Sequence, residues 1–390
     1  MSTSLSVASG LSALAVSAAA SAGFTSGNIL VQRMGDGTTT LGSGATQVAL
    51  QEFTTSGSAV QTIAMPTSGA NQVTDSGSAT SNGYFGVYNG WIGLGGYNAA
   101  SGTASVASQN SKVTTVFGSD GSVASRTLYP TGGTAGTPVS PFSGNNYRST
   151  VATGANTFYA AGSSSGSPST GGVWYYDGSA FTQVSSTATG QPTNVRNLGI
   201  YGGQLYVASA TGTYLGISSI GTGLPTGGNQ AATLQINMGA GSSPYGFVLF
   251  DTNSDGSMDT AYIADDRTAA GGGLQKWTYT GGAWVQSWAL LVNGAGAMQG
   301  TAATGFAGLR GLTGSFENGV ATLYATTNET SNNRIVSIVD SGSAPTSATT
   351  LATAGANYVF RGVQLYSVPA PGAVALLGVA GLAAARRRRG

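Results

Sequence analysis

The segment Asp251-Thr252-Asn253-Ser254-Asp255-Gly256-Ser257-Met258-Asp259 carries oxygen side chains at Asp251, Asn253, Asp255 and Asp259 around the turn residue Gly256. With the backbone carbonyl of Ser257 they form a hard-oxygen donor set, which suits Ca2+ better than a transition metal. The twelfth position is Tyr262 and not a bidentate Glu, and β-rich runs flank the loop at 247–250 and 261–264, so this is no EF-hand helix pair. Without a metal the same residues would make an Asx-rich turn.

Arg148, Arg196, Arg310 and Arg361 each stand near the start of a β-rich run. If those runs are equivalent innermost strands of a repeat, their guanidinium groups gather around one mouth of a central channel. Such a ring would take a carboxylate, a sulfate or a sugar acid, because guanidinium forks match oxyanions. The competing reading is a structural brace, each Arg bonding carbonyls of the neighbouring repeat, and recurrence across repeats favours it.

Glycoside hydrolysis needs two carboxylates held roughly 5–10 Å apart across the scissile bond. Outside the calcium-type loop the candidates are Asp265, Asp266, Glu317, Glu329 and Asp340. Asp265 and Asp266 are adjacent and would face opposite ways on a strand. The expectation for all five is solvated loop carboxylates, so no catalytic residue is assigned. Trp174, Trp277, Trp284 and Trp288 could stack on sugar rings, but large aromatics dominate cores, and core packing is the expectation. The chain has 390 residues with no Cys and no His. That removes disulfides, thiolate and imidazole metal sites, Cys nucleophiles and Ser-His triads.

These side chains have to be positioned by a β scaffold. Between Gly23 and Ser367 no stretch shows a helical apolar period, and short β-rich runs alternate with Gly, Ser, Asn and Asp turns. An apolar-Tyr motif recurs at Tyr159, Tyr206, Tyr262 and Tyr324, and the hairpin Trp174–Phe181 has the pattern of Trp277–Trp284. Phe53, Gly57, Ser58 and Pro66 recur in the same spacing as Phe117, Gly121, Ser122 and Pro130. Four antiparallel strands in a repeat of about 55 residues are the blade of a β-propeller. The expected fold class is all-β, a β-propeller of six four-stranded blades over residues 23–367. Seven blades is the alternative count, and a β-sandwich or β-solenoid the rival. The N-terminal runs at 29–33, 48–53 and 60–65 make only three strands, and the run 360–366 supplies the fourth. Pairing both chain ends in one blade closes the ring.

The two ends read as sorting segments. An apolar run, Leu11 to Ala20, leads to Ala20-Ser21-Ala22, an A-x-A site that would cleave before Gly23, so residues 1–22 read as an export signal that lacks a basic n-region. At the other end Val368-Pro369-Ala370-Pro371-Gly372 precedes an apolar run, Ala373 to Ala385, and then Arg386, Arg387, Arg388 and Arg389. As a helix that run would span about 20 Å, short of the roughly 30 Å hydrocarbon core, which suits transient membrane contact. This three-part order over residues 368–390 resembles the PEP-CTERM sorting tail of Gram-negative bacteria, with Ala370 standing where the motif has Glu. The resemblance implies the export machinery and an exosortase-like enzyme as partners, and a cell-surface or extracellular location. The loop Asp251–Asp259 is similar to the β-hairpin calcium loop of integrin-type propellers, which implies a structural Ca2+.

Four of the 14 Lys+Arg lie in the tail, leaving 10 against 13 Asp+Glu and a net charge near −3 for the body. No basic surface remains for nucleic acid. The resemblance of the tail, and no residue constellation, implies the functional expectation: an exported, non-enzymatic propeller acting as a surface or matrix scaffold or binding protein, associated with exopolysaccharide. The alternative is an extracellular propeller glycoside hydrolase or lyase with carboxylates at the channel mouth.

Overall fold

The computed structural model describes residues 23–132, 139–165 and 169–368. The expected cleavage site at Ala20 and Ala22 and the tail from Pro369 and Pro371 to Arg386–Arg389 lie outside the described residues.

The two ends of the described chain meet in one antiparallel run. β1 (Ile29–Met34) pairs with β2 (Ala45–Phe53), which pairs with β3 (Ala59–Ala64). On its other side β1 pairs with β27 (Val359–Leu365), with Val31 opposite Val363. The short β4 (Thr74–Ser76) bridges β2 to the next run. That run is β5 (Tyr84–Tyr88), β6 (Trp91–Tyr97), β7 (Lys112–Phe117) and β8 (Val123–Leu128). It is followed by β9 (Tyr147–Gly154), β10 (Thr157–Gly162), β11 (Gly172–Tyr176) and β12 (Phe181–Gln183). A parallel pairing of β5 with β9 extends the hydrogen-bonded ladder between these two runs.

The remaining sheets are separate. One holds β13 (Val195–Tyr201), β14 (Gln204–Ser209), β15 (Gly216–Ile220) and β16 (Ala232–Asn237). The next holds β17 (Pro244–Phe250), β18 (Thr260–Asp265), β19 (Gly273–Thr280) and β20 (Ala283–Asn293), with β21 (Met298–Gln299) and β22 (Phe306–Ala307) added to β20. The last holds β23 (Leu309–Glu317), β24 (Val320–Thr327), β25 (Arg334–Asp340) and β26 (Thr349–Thr353).

Some neighbouring strands are joined by tight turns the sequence encodes, and others by connections of about ten residues. Between β23 and β24, Asn318 and Gly319 both take positive φ, 52° and 80°, as a two-residue hairpin turn requires. The first strands of successive runs contact one another in the cyclic order β27, β5, β9, β13, β17, β23 and back to β27. The architecture is therefore all-β, with sheets arranged around a shared centre in the manner of a β-propeller.

Burial follows from that arrangement. Inner strands such as β17, covered on both faces, are almost wholly buried and read as apolar runs, whereas the outer β16 alternates buried and exposed residues. The apolar core lies between adjacent sheets in several clusters. One joins Ile29, Val31 and Val363 to Tyr324 and Ile335 of the last sheet. Among the described residues no helix is long and apolar enough to cross a membrane.

Candidate functional site

Residues near the start of each first strand converge on one end of the central channel. They are Tyr84 on β5, Arg148 on β9, Arg196 on β13, Tyr245 on β17, Arg310 on β23 and Arg361 on β27. The strands come close here, and in three of them the next residue is glycine, whereas on β5 it is Phe85. In β17, β23 and β27 it is Gly246, Gly311 and Gly362, where a Cβ would lie 2.5 Å from Leu312 N, 2.5 Å from Arg361 O and 2.7 Å from Gly83 O. In β9 and β13 the matching residues are Ser149 and Asn197, and the Ser149 hydroxyl donates to Asn197 Oδ1 at 2.9 Å. Thr326 of β24 accepts from Gly311 N at 2.8 Å and donates to the Arg361 carbonyl at 2.7 Å, tying β23 to β27.

The two tyrosines come from strands three steps apart in the cycle, and so from opposite sides of the ring. Their ring centroids are 5.6 Å apart, both residues are buried, and burial holds the Tyr84 hydroxyl far above its ordinary range. Arg196 stacks on Tyr245 with its guanidinium carbon 4.3 Å from the ring centre, and Arg310 lies 5.8 Å from the same ring.

Each arginine also reaches across to another element. Arg148 donates to Asn194 Oδ1 and lies 3.5 Å from the Val195 carbonyl at the start of β13. Arg196 donates to Ser243 Oγ at 2.6 Å and lies 3.5 Å from the Pro244 carbonyl at the start of β17. Arg310 contacts Asp266 Oδ2 through Nε and Nη2, both at 3.2 Å, and donates to the Asn328 carbonyl at 3.1 Å. Arg361 donates to the Gly77 carbonyl at 3.0 Å and feels the charge of buried Asp75. Burial lowers the pKa of Arg148 to about 10, with the charge of Arg196 acting the same way. Asp75 is pushed up to about 7 by burial, against the hydrogen bonds it accepts from Asn82 Nδ2 and Ser76 N.

Beyond this plug the channel holds a cavity of about 170 Å³. All six first strands contribute to its wall, through Gly86, Val151, Leu198, Val248, Gly314 and Gln364.

The carboxylates expected in solvated loops are mostly drawn into ion pairs. Asp265 is fully buried and takes two bonds from Arg267, each 2.8 Å. Asp340, also buried, accepts from Lys276 Nζ at 2.7 Å and Tyr262 Oη at 2.6 Å. Asp266 pairs with Arg310, and Glu329 with Arg334 at 2.8 Å. Only Glu317, at the exposed end of β23, matches the solvated expectation. Two of these pairs are local, Asp265 with Arg267 and Glu329 with Arg334, and two cross between sheets, Asp266 with Arg310 and Asp340 with Lys276; in each, pairing offsets the cost of burial.

The loop Asp251–Asp259 is organised by hydrogen bonds. Asp251 accepts from Asp255 N at 3.1 Å and Gly256 N at 2.8 Å. Asp255 accepts from Ser257 N at 2.8 Å and Asn253 Nδ2 at 3.1 Å. Asp259 accepts from Thr252 N at 3.1 Å and Thr252 Oγ1 at 2.7 Å. Among the described residues no three acidic side chains are grouped as metal ligands. The donor set retains the hard-oxygen chemistry that calcium requires, and each carboxylate keeps lone pairs beyond those its amide partners use.

Of the tryptophans, Trp174 and Trp277 are buried core residues, while Trp284 and Trp288 are half-buried. Trp284 joins Tyr206, Met258 and Tyr279 in lining a groove of about 390 Å³ beside Gly256 and Ser257. Tyr279 is 48% exposed, and its ring meets Trp284 edge-on at 5.6 Å.

Sequence reasoning missed Tyr84, Tyr245 and Asp75. A signal was present for Tyr245, since Tyr245-Gly246 holds the position of Arg310-Gly311 and Arg361-Gly362.

No protein-family model matches the chain, and no curated protein matches it. Among solved structures, it is similar to a protein provisionally assigned as a 6-phosphogluconolactonase from Bacteroides uniformis. The identity is 13%, covering 84% of this chain and 82% of that one, with a TM-score of 0.44. A protein from Lactobacillus plantarum is similar at 12% identity, covering 85% and 83%, with a TM-score of 0.42. AofleA from Arthrobotrys oligospora is similar at 11%, covering 74% and 90%, with a TM-score of 0.30. Similarities of this order transfer neither an activity nor a ligand.

Proposed function

We propose that the chain is an exported, non-enzymatic β-propeller of six blades that serves as a cell-surface or extracellular-matrix scaffold or binding protein. The observation that carries the non-enzymatic reading is the pairing of Asp265, Asp266, Glu329 and Asp340 with Arg267, Arg310, Arg334 and Lys276. A hydrolase or lyase needs carboxylates free to give and take protons at a substrate, and these four are committed to cations. The six-blade count is supported by the cyclic contacts of β27, β5, β9, β13, β17 and β23. Export and exosortase-type processing follow from the two terminal segments alone. A structural Ca2+ at Asp251, Asn253, Asp255, Ser257 and Asp259 is part of the same proposal, resting on the spacing and oxygen character of those residues.

Contact with polysaccharide is supported by the groove of Tyr206, Tyr279 and Trp284. It has the size of a ligand cleft and joins aromatic faces to a polar loop. The test is gel retardation of the full chain in a panel of bacterial exopolysaccharides, with reducing ends and unsaturated products assayed on the same samples. Retardation without new ends is expected. Release of reducing or unsaturated ends would replace this reading with the hydrolase or lyase.

A further inference from the structure

The ring at the channel end divides into two unlike halves. On one side of the Tyr84–Tyr245 pair lie Arg310 and Arg361, both buried. Arg310 is paired with Asp266, and Arg361 donates to the Gly77 carbonyl and lies within the field of Asp75, which reaches it in full once that buried carboxyl ionises. On the other side lie Arg148 and Arg196, both half-buried. Their partners are neutral: Asn194 Oδ1, Ser243 Oγ and the carbonyls of Val195 and Pro244. Arg148 Nε is buried with no hydrogen-bond partner, as is Arg361 Nε on the other side, so the halves differ in their acids and not in this atom.

No acid of the chain is left to fill this gap. All 13 Asp+Glu fall among the described residues, and none forms a salt bridge with Arg148 or Arg196. Asp265 comes nearest by connection, since it accepts from Ser243 N at 3.0 Å, but its charge is met by two bonds from Arg267. Two neighbouring guanidinium groups partly removed from water without a counter-charge are costly, and a bound oxyanion relieves that cost while supplying strong, charge-assisted hydrogen bonds. Arginine suits this role because its planar fork can grip two oxygens at once.

We infer that Arg148 and Arg196 form a binding site for a single oxyanion group, a carboxylate or a sulfate, with Asn194 and Ser243 as its polar rim. Arg310 and Arg361 are the internally neutralised counterpart and serve as a brace. The same repeat position thus carries both roles, one on each side of the tyrosine pair. The site is independent of export and of the groove beside the Asp251–Asp259 loop.

The experiment is thermal unfolding of the full chain in sodium sulfate, in sodium glucuronate and in sodium chloride at matched ionic strength. At least one oxyanion is expected to raise the midpoint by about 2 °C over chloride, and the larger response identifies the sulfate or the carboxylate source. Asn194→Asp builds a carboxylate beside Arg148. This variant is expected to unfold at a higher temperature than wild type in chloride and to lose the added response. Comparison with that variant also removes the general stabilising effect of sulfate. Arg148→Gln and Arg196→Gln are expected to lose the response, while Arg33→Gln, on β1 beside β27 and so across the ring from β13, keeps it. No response in wild type, or an equal response in wild type and Asn194→Asp, would overturn the inference. Should either glutamine variant fail to fold, the Asn194→Asp comparison decides alone.

Discussion

Tyr84 and Tyr245 meet ring to ring at 5.6 Å although they belong to opposite strands of the central cycle. The pair fills the channel end with apolar volume, and the Tyr245 ring lies beneath the guanidinium groups of Arg196 and Arg310.

Removing one ring should therefore cost more than removing one hydroxyl. Tyr245→Ala is expected to lose about 3 kcal/mol of stability in urea unfolding, by analogy with large-to-small aromatic truncation. Tyr245→Phe should lose less than about 1 kcal/mol, the scale of one hydrogen bond. Equal stability of the Ala variant and wild type would show that the pair does not support the ring.

Asp75 sets a pH dependence of definite sign. Its folded-state pKa of about 7 lies above the ordinary 3.8 because of burial. The stability tied to its protonated form is whole below about pH 4 and is lost as pH rises through 7. Asn at this position can keep the bonds from Asn82 and Ser76 N to its oxygen. Asp75→Asn is thus expected to match wild type at pH 4 and to exceed it by about 4 kcal/mol at pH 8, the free-energy equivalent of a pKa raised that far. Chemical denaturation at the two pH values checks this, and parallel pH profiles would refute it.

Asp340 should behave in the opposite sense. Burial alone would raise its pKa, but hydrogen bonds from Lys276, Tyr262 and Gly342 N prevail and hold it below the usual carboxylate range. Its contribution is present at neutral pH and lost as pH falls below about 4. Asp340→Asn is expected to cost about 2 kcal/mol at pH 7, with Tyr262→Phe costing about 1 kcal/mol. A double variant that costs the full sum would show that the two do not act together.

Calcium is expected to raise the unfolding midpoint of the chain, and EGTA to lower it, with Asp255→Ala abolishing the difference. A midpoint unchanged by calcium would leave the loop as the hydrogen-bonded turn formed by Asp251, Asp255 and Asp259.

The strand repeats were legible because their signals are local. Asn318-Gly319 marks its turn, and the tyrosines at 159, 206, 262 and 324 all fall on the second strand of their runs. The four arginines could be aligned because they share a residue type and a strand position. Tyr84 and Tyr245 escaped that alignment because the position selects for planarity and volume on opposite sides of a ring, a relation between residues far apart in sequence. Asp75 escaped because β4 is three residues long and has no counterpart in the other repeats. The burial of Asp265 and Asp340 could not be read either. Charge predicts exposure until the partner is known, and for Asp340 that partner, Lys276, lies on another sheet.

The pairing of β1 with β27 also orders the assembly of the molecule in time. A chain emerging from the ribosome makes β1 among its first elements and β27 among its last, so the free side of β1 waits unpaired while every other sheet is built. Closing so long a separation costs chain entropy that grows with the logarithm of its length, and non-local pairing of this kind slows folding. Until it happens, the waiting strand is an open edge on which a second nascent copy could dock its own β27. The same ladder that seals the monomer thus sets a kinetic competition between self-closure and strand exchange, decided by chain concentration and by how promptly the final residues are released.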